Sequence, residues 1–150
     1  MSTPLDAELP NTPPAAHFTE IARWTLTDVE EVADLRADLQ SRLGTDGAGD
    51  LESTAEKLVL VASELATNAI RHGLPPTVVR LMVGDGAFLL DVADHDISSA
   101  PLLAPDRDAG HGGLGLRIAR RLALAVGWYT TTTAKHVWAT VAGPAEEPGA

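Results

Sequence analysis

The chain of 150 residues carries 11 Lys and Arg against 21 Asp and Glu, a formal charge of −10, which argues against a nucleic-acid binder because that function needs a basic surface to neutralise phosphates. The same acidity argues against docking on anionic lipid, and the absence of cysteine excludes disulfides, thiol catalysis and thiolate zinc sites. No apolar run approaches the roughly 20 residues of a membrane span and no signal peptide is visible at the start, so we expect a cytoplasmic protein.

The two ends differ in composition from the rest of the chain. Residues 1–15 hold four prolines among small and polar residues, which predicts a disordered N-terminal tail. Residues 143–150 predict a shorter C-terminal tail for the same reason. The remaining segment, 16–142, is long enough for one modest hydrophobic core and therefore predicts a single domain.

The first elements are a strand and a helix. Imperfect alternation over 18–25 predicts a strand with Glu20, Ala22 and Trp24 on one face. Thr27-Asp28 offers an N-cap for the helix that follows, and Gly44 predicts its end.

The rest of the chain alternates between helices and hairpins. Ser53-Thr54 predicts the start of a second helix that runs to His72. Gly84-Asp85-Gly86 predicts a tight turn between two strands. The further predictions are strands at 78–83 and 87–93, a polar loop over 94–111, a third helix at 114–126, and a closing hairpin of strands at 128–133 and 136–141. This order predicts an α+β sandwich, a mostly antiparallel sheet with three helices on one face.

The second helix is apolar nearly all round, yet it carries a polar stripe. Lys57, Glu64, Asn68, Arg71 and His72 lie on one side at helical spacing. The stripe is either a solvated face with weak ion pairs or the wall of a site. In a site, Glu64 is a candidate general base or water-positioning carboxylate, and Asn68 offers a neutral oxygen to a hard cation such as Mg²⁺.

A glycine-rich turn, Gly110-His111-Gly112-Gly113-Leu114-Gly115, opens the third helix. Glycines bring backbone N–H groups close to a ligand, and the following helix N-terminus favours an anion, so a phosphate fits there. The string is a poor dinucleotide fingerprint, because a polar loop precedes it and no acidic residue follows until Glu146. A flexible lid hinge is the alternative interpretation.

A strand ends at Asp94-His95-Asp96. The triplet alone is a weak metal site, because neighbouring side chains on a strand diverge. A strand-end turn is the simpler interpretation. Asp94 alone, facing an apolar slot, could instead accept a hydrogen bond from an exocyclic amine such as that of adenine.

Together, and in this order, these motifs resemble the GHKL ATP-binding family, and most closely its anti-sigma-factor serine kinases. The segment 64–73 (Glu-Leu-Ala-Thr-Asn-Ala-Ile-Arg-His-Gly) looks like the N-box of that branch. Asp94 falls where the family has its adenine-binding Asp, and 112–116 resembles the second glycine box. The segment 135–139 is similar to the closing strand, in which His136 stands where an adenine-holding Thr is usual.

The resemblance implies the Bergerat fold and a nucleotide site. Glu64 would be the catalytic residue, acting on the nucleophile or water. Asn68 would hold Mg²⁺ together with ATP phosphates. The ATP-binding set it implies is Asn68, Arg71, His72, Asp94, Gly112, Gly113, Leu114, Gly115 and His136.

The implied function is that of an anti-sigma factor serine/threonine-protein kinase, with ATP and Mg²⁺ as cofactors. It would transfer the γ-phosphoryl group to a serine of a STAS-type anti-anti-sigma factor, sequester a sigma factor, or do both. The resemblance also allows a homodimer. The alternative is a non-catalytic partner-switch module with weak or lost nucleotide binding, because Asp96 stands where the first glycine box has Gly and His136 replaces Thr.

Overall fold

The structure, a computed structural model, describes residues 9–14, 17–44, 54–84, 86–98 and 114–143. It confirms the predicted class: one antiparallel sheet of five strands and three helices. The elements are β1 Thr19–Leu26, α1 Glu31–Leu43, α2 Thr54–His72, β2 Thr77–Gly84, β3 Ala87–Asp94, α3 Leu114–Leu122, β4 Ala125–Thr130 and β5 Lys135–Ala142.

Helix α2 is the centre of the helix layer. The strands run in the order β1-β2-β3-β5-β4, and α2 packs on β2, β3 and β5 with α1 and α3 on its two sides. Its apolar residues form one core with those of α1 and of the sheet, including the fully buried Leu35, Leu39, Leu58, Leu65, Leu81 and Leu90. A helix that is apolar on most sides must pack against other helices or strands on most sides. In the described ranges, no helix combines the length and the apolar character needed to cross a membrane.

Helix α1 begins and ends close to the predicted positions, but its start is capped differently. Gly44 follows it with φ 74°, the left-handed conformation expected of a glycine stop. At the other end, the carboxylate of Glu31 accepts hydrogen bonds from the backbone N–H groups of Thr27 (2.6 Å) and Asp28 (3.0 Å). Glu31 thus reaches back to the N–H groups of Thr27 and Asp28 themselves, whereas the N-cap residue, Glu30, makes no side-chain cap hydrogen bond.

Strand β1 contains a bulge that the alternation pattern did not predict. The pairing with β2 shifts between Glu20 and Ala22. Glu20 is thereby turned to the sheet face away from the helices, where it pairs with Arg23 (2.8 Å) and Arg80 (3.6 Å). The predicted shared face of Glu20 with Ala22 and Trp24 is wrong, because an extra residue reverses the alternation.

The third helix is shorter than predicted and the next strand starts earlier. Helix α3 ends at Leu122, and β4 begins at Ala125 rather than at 128. Val126 was placed on the helix because its spacing fits both periods. In the structure it is buried in the core from the strand, so tertiary packing decides between the two.

Part of the predicted N-terminal tail is bound to the sheet. The backbone N–H of Trp128 donates to the carbonyl of Pro10 (2.9 Å), and the Trp128 Nε1–H donates to that of Leu9 (3.2 Å). Trp138 Nε1–H donates to the carbonyl of Thr12 (2.8 Å), and Leu9 is only 6% exposed within the core. Residues 9–12 of the predicted tail thus contact the sheet in the structure, and proline content does not reveal an apolar anchor such as Leu9.

We expect Leu9→Ala to lower the free energy of unfolding by about 2–3 kcal/mol, because it removes a buried side chain at the edge of the core. Chemical denaturation measures the effect. Asn11→Ala is the matched control: its side chain is exposed, so the change is expected to stay within about 0.5 kcal/mol. Equal effects of the two changes would show that the segment does not contribute through Leu9.

Candidate functional site

The polar stripe of α2 contains residues of different exposure. Glu64 and Asn68 are one turn apart, Glu64 is half-buried and Asn68 is buried. Arg71 and His72 are exposed in the last turn. The stripe is therefore partly enclosed and is not a fully solvated face.

Asn68 has an unusual environment. The residue is 7% exposed, and its Oδ1 is buried with no hydrogen-bond partner among the described residues. Burying an amide oxygen without a partner costs about 1–3 kcal/mol. Since a neutral oxygen is a ligand that Mg²⁺ accepts, the orphaned Oδ1 fits a site where a bound cation or its water completes the bonding.

Burial raises the pKa of Glu64 above its ordinary value. The positive charges of Arg36 and Arg71 oppose this shift and are outweighed. A carboxylate whose pKa is raised accepts a proton more readily, which suits a general base.

A groove of about 460 Å³ lies between α1 and α2. Its charged lining residues are Arg36 and Arg71, the same two cations that act on Glu64. The remaining lining residues are apolar or neutral: Val29, Val32, Ala33, Ala37, Gln40 and Thr67. In an acidic protein, this groove is a local positive surface.

Asp94 is held at the end of α2, where Gly73 follows the helix. Its carboxylate is 2% exposed, and Oδ1 accepts hydrogen bonds from the backbone N–H groups of Leu74 (3.4 Å) and Asp96 (2.7 Å). A Cβ on Gly73 would lie 2.3 Å from Asp94 Cγ. The carboxylate thus occupies the space that the glycine leaves, which fixes its position relative to α2.

The structure places His136 and Asp94 on opposite faces of the sheet. His136 Nδ1 lies 2.8 Å from Asp91, on the sheet face opposite the helices, and its ring stacks on Tyr129. Lys135 instead comes to Asp94, with Nζ 3.8 Å from Oδ2. Successive side chains of a strand alternate faces, so of these two residues only Lys135 lies on the sheet face of Asp94.

His136 contacts a buried carboxylate, that of Asp91. Asp91 is 1% exposed and also binds Arg80, with Nη2 to Oδ2 at 3.0 Å. Burial of this carboxylate is thus compensated by two cation-forming side chains on the outer face of the sheet. Sequence periodicity does not predict the ion pairs of Asp91 with Arg80 and His136, because these residues are distant in sequence.

The glycine turn is only partly described. Gly112 and Gly113 lie outside the described residues, and Leu114 and Gly115 are the first two residues of α3, as predicted.

Asp96 Oδ1 accepts hydrogen bonds from the backbone N–H and the hydroxyl of Ser98, so its carboxylate takes part in a local turn. No group of three or more metal-ligating His, Asp or Glu side chains occurs within the described ranges.

Comparison with known proteins gives one family. A family model described as a histidine kinase-like ATPase domain matches residues 25–141, more than three quarters of the chain. The search of curated proteins found no match to this chain. The matched range includes the α2 stripe and Asp94.

We expect Glu64→Gln to raise the melting temperature at about pH 7. A pKa raised on folding means that the folded protein binds this proton more tightly than the unfolded chain, so the contribution of Glu64 to stability falls as the pH rises through its folded pKa. The gain should therefore shrink as the pH approaches about 4. Thermal unfolding followed by circular dichroism at both pH values measures it.

Glu31→Gln is the matched control with the opposite sign. The backbone hydrogen bonds from Thr27 and Asp28 lower the pKa of Glu31, so its loss should reduce stability at about pH 7. A lower melting temperature for Glu64→Gln at that pH would contradict the prediction. It would mean that Arg36 and Arg71 stabilise the carboxylate by more than burial costs.

Proposed function

The chain belongs to the histidine kinase-like ATPase family of GHKL type, and from that membership we propose that it is an ATP-dependent protein serine kinase that regulates a sigma factor. It would transfer the γ-phosphoryl group of ATP to a serine of a STAS-type anti-anti-sigma factor, and would sequester a sigma factor. The observation that carries the proposal is the orphaned, buried Oδ1 of Asn68, one helical turn from the desolvated carboxylate of Glu64.

In this proposal Asn68 holds Mg²⁺ through Oδ1. Mg²⁺ usually takes few protein ligands and completes its shell with water and phosphate oxygens, so a single amide oxygen is a sufficient protein contribution. When bound, the cation would neutralise charge on the phosphates.

Glu64 would act on the serine hydroxyl. The serine Oγ forms a bond to the γ-phosphorus, the bond from that phosphorus to the β–γ bridging oxygen breaks, ADP leaves, and the hydroxyl proton passes to the Glu64 carboxylate. Phosphoryl transfer needs mainly positioning and charge stabilisation from the protein. The raised pKa of Glu64 supports this role, because the group can take up a proton near neutral pH more readily than an ordinary carboxylate.

Asp94 would bind the 6-amino group of adenine. Two backbone N–H groups bind Oδ1, so Oδ2 is the oxygen expected to accept from the base. The phosphates would extend from there toward Asn68 and the glycine turn, with Arg71 and His72 near the phosphate end.

The α1–α2 groove supports entry of a protein substrate beside Glu64. Its two arginines would attract an acidic segment of the partner, although the protein as a whole is negatively charged. A homodimer remains part of the proposal by resemblance to the branch.

Calorimetry with ATP and Mg²⁺ tests the nucleotide site. We expect binding in the micromolar range, about −8 kcal/mol, and a loss of about tenfold or more in each of Asp94→Asn and Asn68→Ala. Asp91→Asn is the matched control: Asp91 is as buried as Asp94 and on the same strand, but it faces away from the helices, so its ATP affinity should stay unchanged. Failure of the folded wild-type protein to bind ATP would contradict the proposal and favour the non-catalytic partner switch.

Phosphoserine formation tests the chemistry. With ATP, Mg²⁺ and the cognate STAS-type antagonist, Glu64→Gln should still bind ATP but transfer phosphate about 10²–10⁴-fold more slowly, because the general base is lost. Mass spectrometry of the antagonist measures the transfer. Wild-type protein that binds ATP and antagonist but forms no phosphoserine would leave a nucleotide-sensing binding module in place of a kinase.

A further inference from the structure

Lys135 is a buried lysine beside the carboxylate proposed to bind the base. It is the first residue of β5, opposite Asp94 in the pairing of β3 with β5. Its side chain is 5% exposed, which is rare for a lysine. It lies on the helix-facing side of the sheet, since the alternate residues Val137, Ala139 and Val141 belong to the core.

The contact between Lys135 and Asp94 is an ion pair that is too long for a direct hydrogen bond. The distance from Nζ to Oδ2 is 3.8 Å, whereas charge-assisted N–H···O bonds span about 2.7–2.9 Å. An ammonium group has three donors. The pair therefore compensates charge while leaving the ammonium able to donate toward a ligand.

The geometry presents an acceptor and a donor side by side. Asp94 is fixed by its backbone hydrogen bonds and by its position against Gly73, and Lys135 faces the oxygen that those bonds do not use. The edge of adenine that carries its 6-amino group has the complementary pattern, since the amine donates and the adjacent ring nitrogen N1 accepts.

We propose that Lys135 is a second base-reading residue, whose Nζ donates a hydrogen bond to N1 of adenine while Asp94 accepts one from the 6-amino group. This inference rests on the proposed binding of ATP at Asp94. It makes Lys135 a determinant of base affinity. If Lys135 only compensated the charge of Asp94, the identity of the ring atom at position 1 would not matter.

Ligand analogues test the proposal on the unmodified full-length protein, so that folding of a variant is not at issue. Calorimetry with Mg²⁺ compares ATP with 1-deaza-ATP, which keeps the 6-amino group and lacks N1, and with 7-deaza-ATP, which keeps N1. We expect 1-deaza-ATP to bind about tenfold or more weakly than ATP, as for the loss of a hydrogen bond to a charged group, and 7-deaza-ATP to bind like ATP. Equal affinity for ATP and 1-deaza-ATP, or an equal loss for both analogues, overturns the proposal.

Lys135→Met combined with 1-deaza-ATP completes a double-mutant cycle, in which one change is in the protein and the other is in the ligand. Thermal unfolding confirms that the variant is folded. The variant should lose about the same factor for ATP as the removal of N1 does, and it should no longer distinguish ATP from 1-deaza-ATP. Tighter ATP binding by Lys135→Met would overturn the proposal, because Lys135 would then compete with the base for Asp94. Failure of the wild-type protein and of Lys135→Met to bind ATP would refute the proposed function itself, and this inference with it.

Discussion

The packing of α2 against the sheet is the constraint on which the rest of the structure depends. The helix must bury most of its surface, so α1, α3 and three strands surround it. The less buried side of the helix carries the polar stripe together with Leu60, Thr67 and Ile70. Burial at this border leaves the Asn68 oxygen without a partner among the described residues and raises the pKa of Glu64. The same packing sets the end of the helix against β3, where Gly73 makes room for Asp94. Stability and the candidate chemistry thus share one element.

Positively charged side chains lie beside buried or half-buried carboxylates, although the net charge of the protein is negative. The chain is strongly acidic, yet two of its buried carboxylates have cations close by: Lys135 for Asp94, and Arg80 for Asp91. Arg36 and Arg71 likewise act on Glu64. Local compensation of this kind is needed because a buried carboxylate without a partner is costly. Net charge alone would have predicted none of these positions.

The sequence predicted the parts of the fold that depend on local signals. Gly44 as a helix stop and the turn before Gly86 follow from backbone conformations that glycine favours, and the long periodic run of α2 was placed with both ends nearly correct. Nonlocal contacts decided the rest: the bulge beside Glu20 and the anchoring of Leu9. In the site, Glu64 and Asn68 could be singled out as polar residues on an apolar helix. Lys135 could not, since choosing it over His136 requires knowing which face of β5 meets the helices.

The N-terminal segment has a consequence for how other proteins can approach. A sheet edge with free N–H and C=O groups is a template for adding a foreign strand. Here one edge, β4, is covered where Asn11 bridges to Trp128, and the other, β1, is bulged and carries the charged pair of Glu20 and Arg23. Both edges are therefore poorer templates for strand addition at the bridged and bulged positions, which disfavours edge-to-edge aggregation.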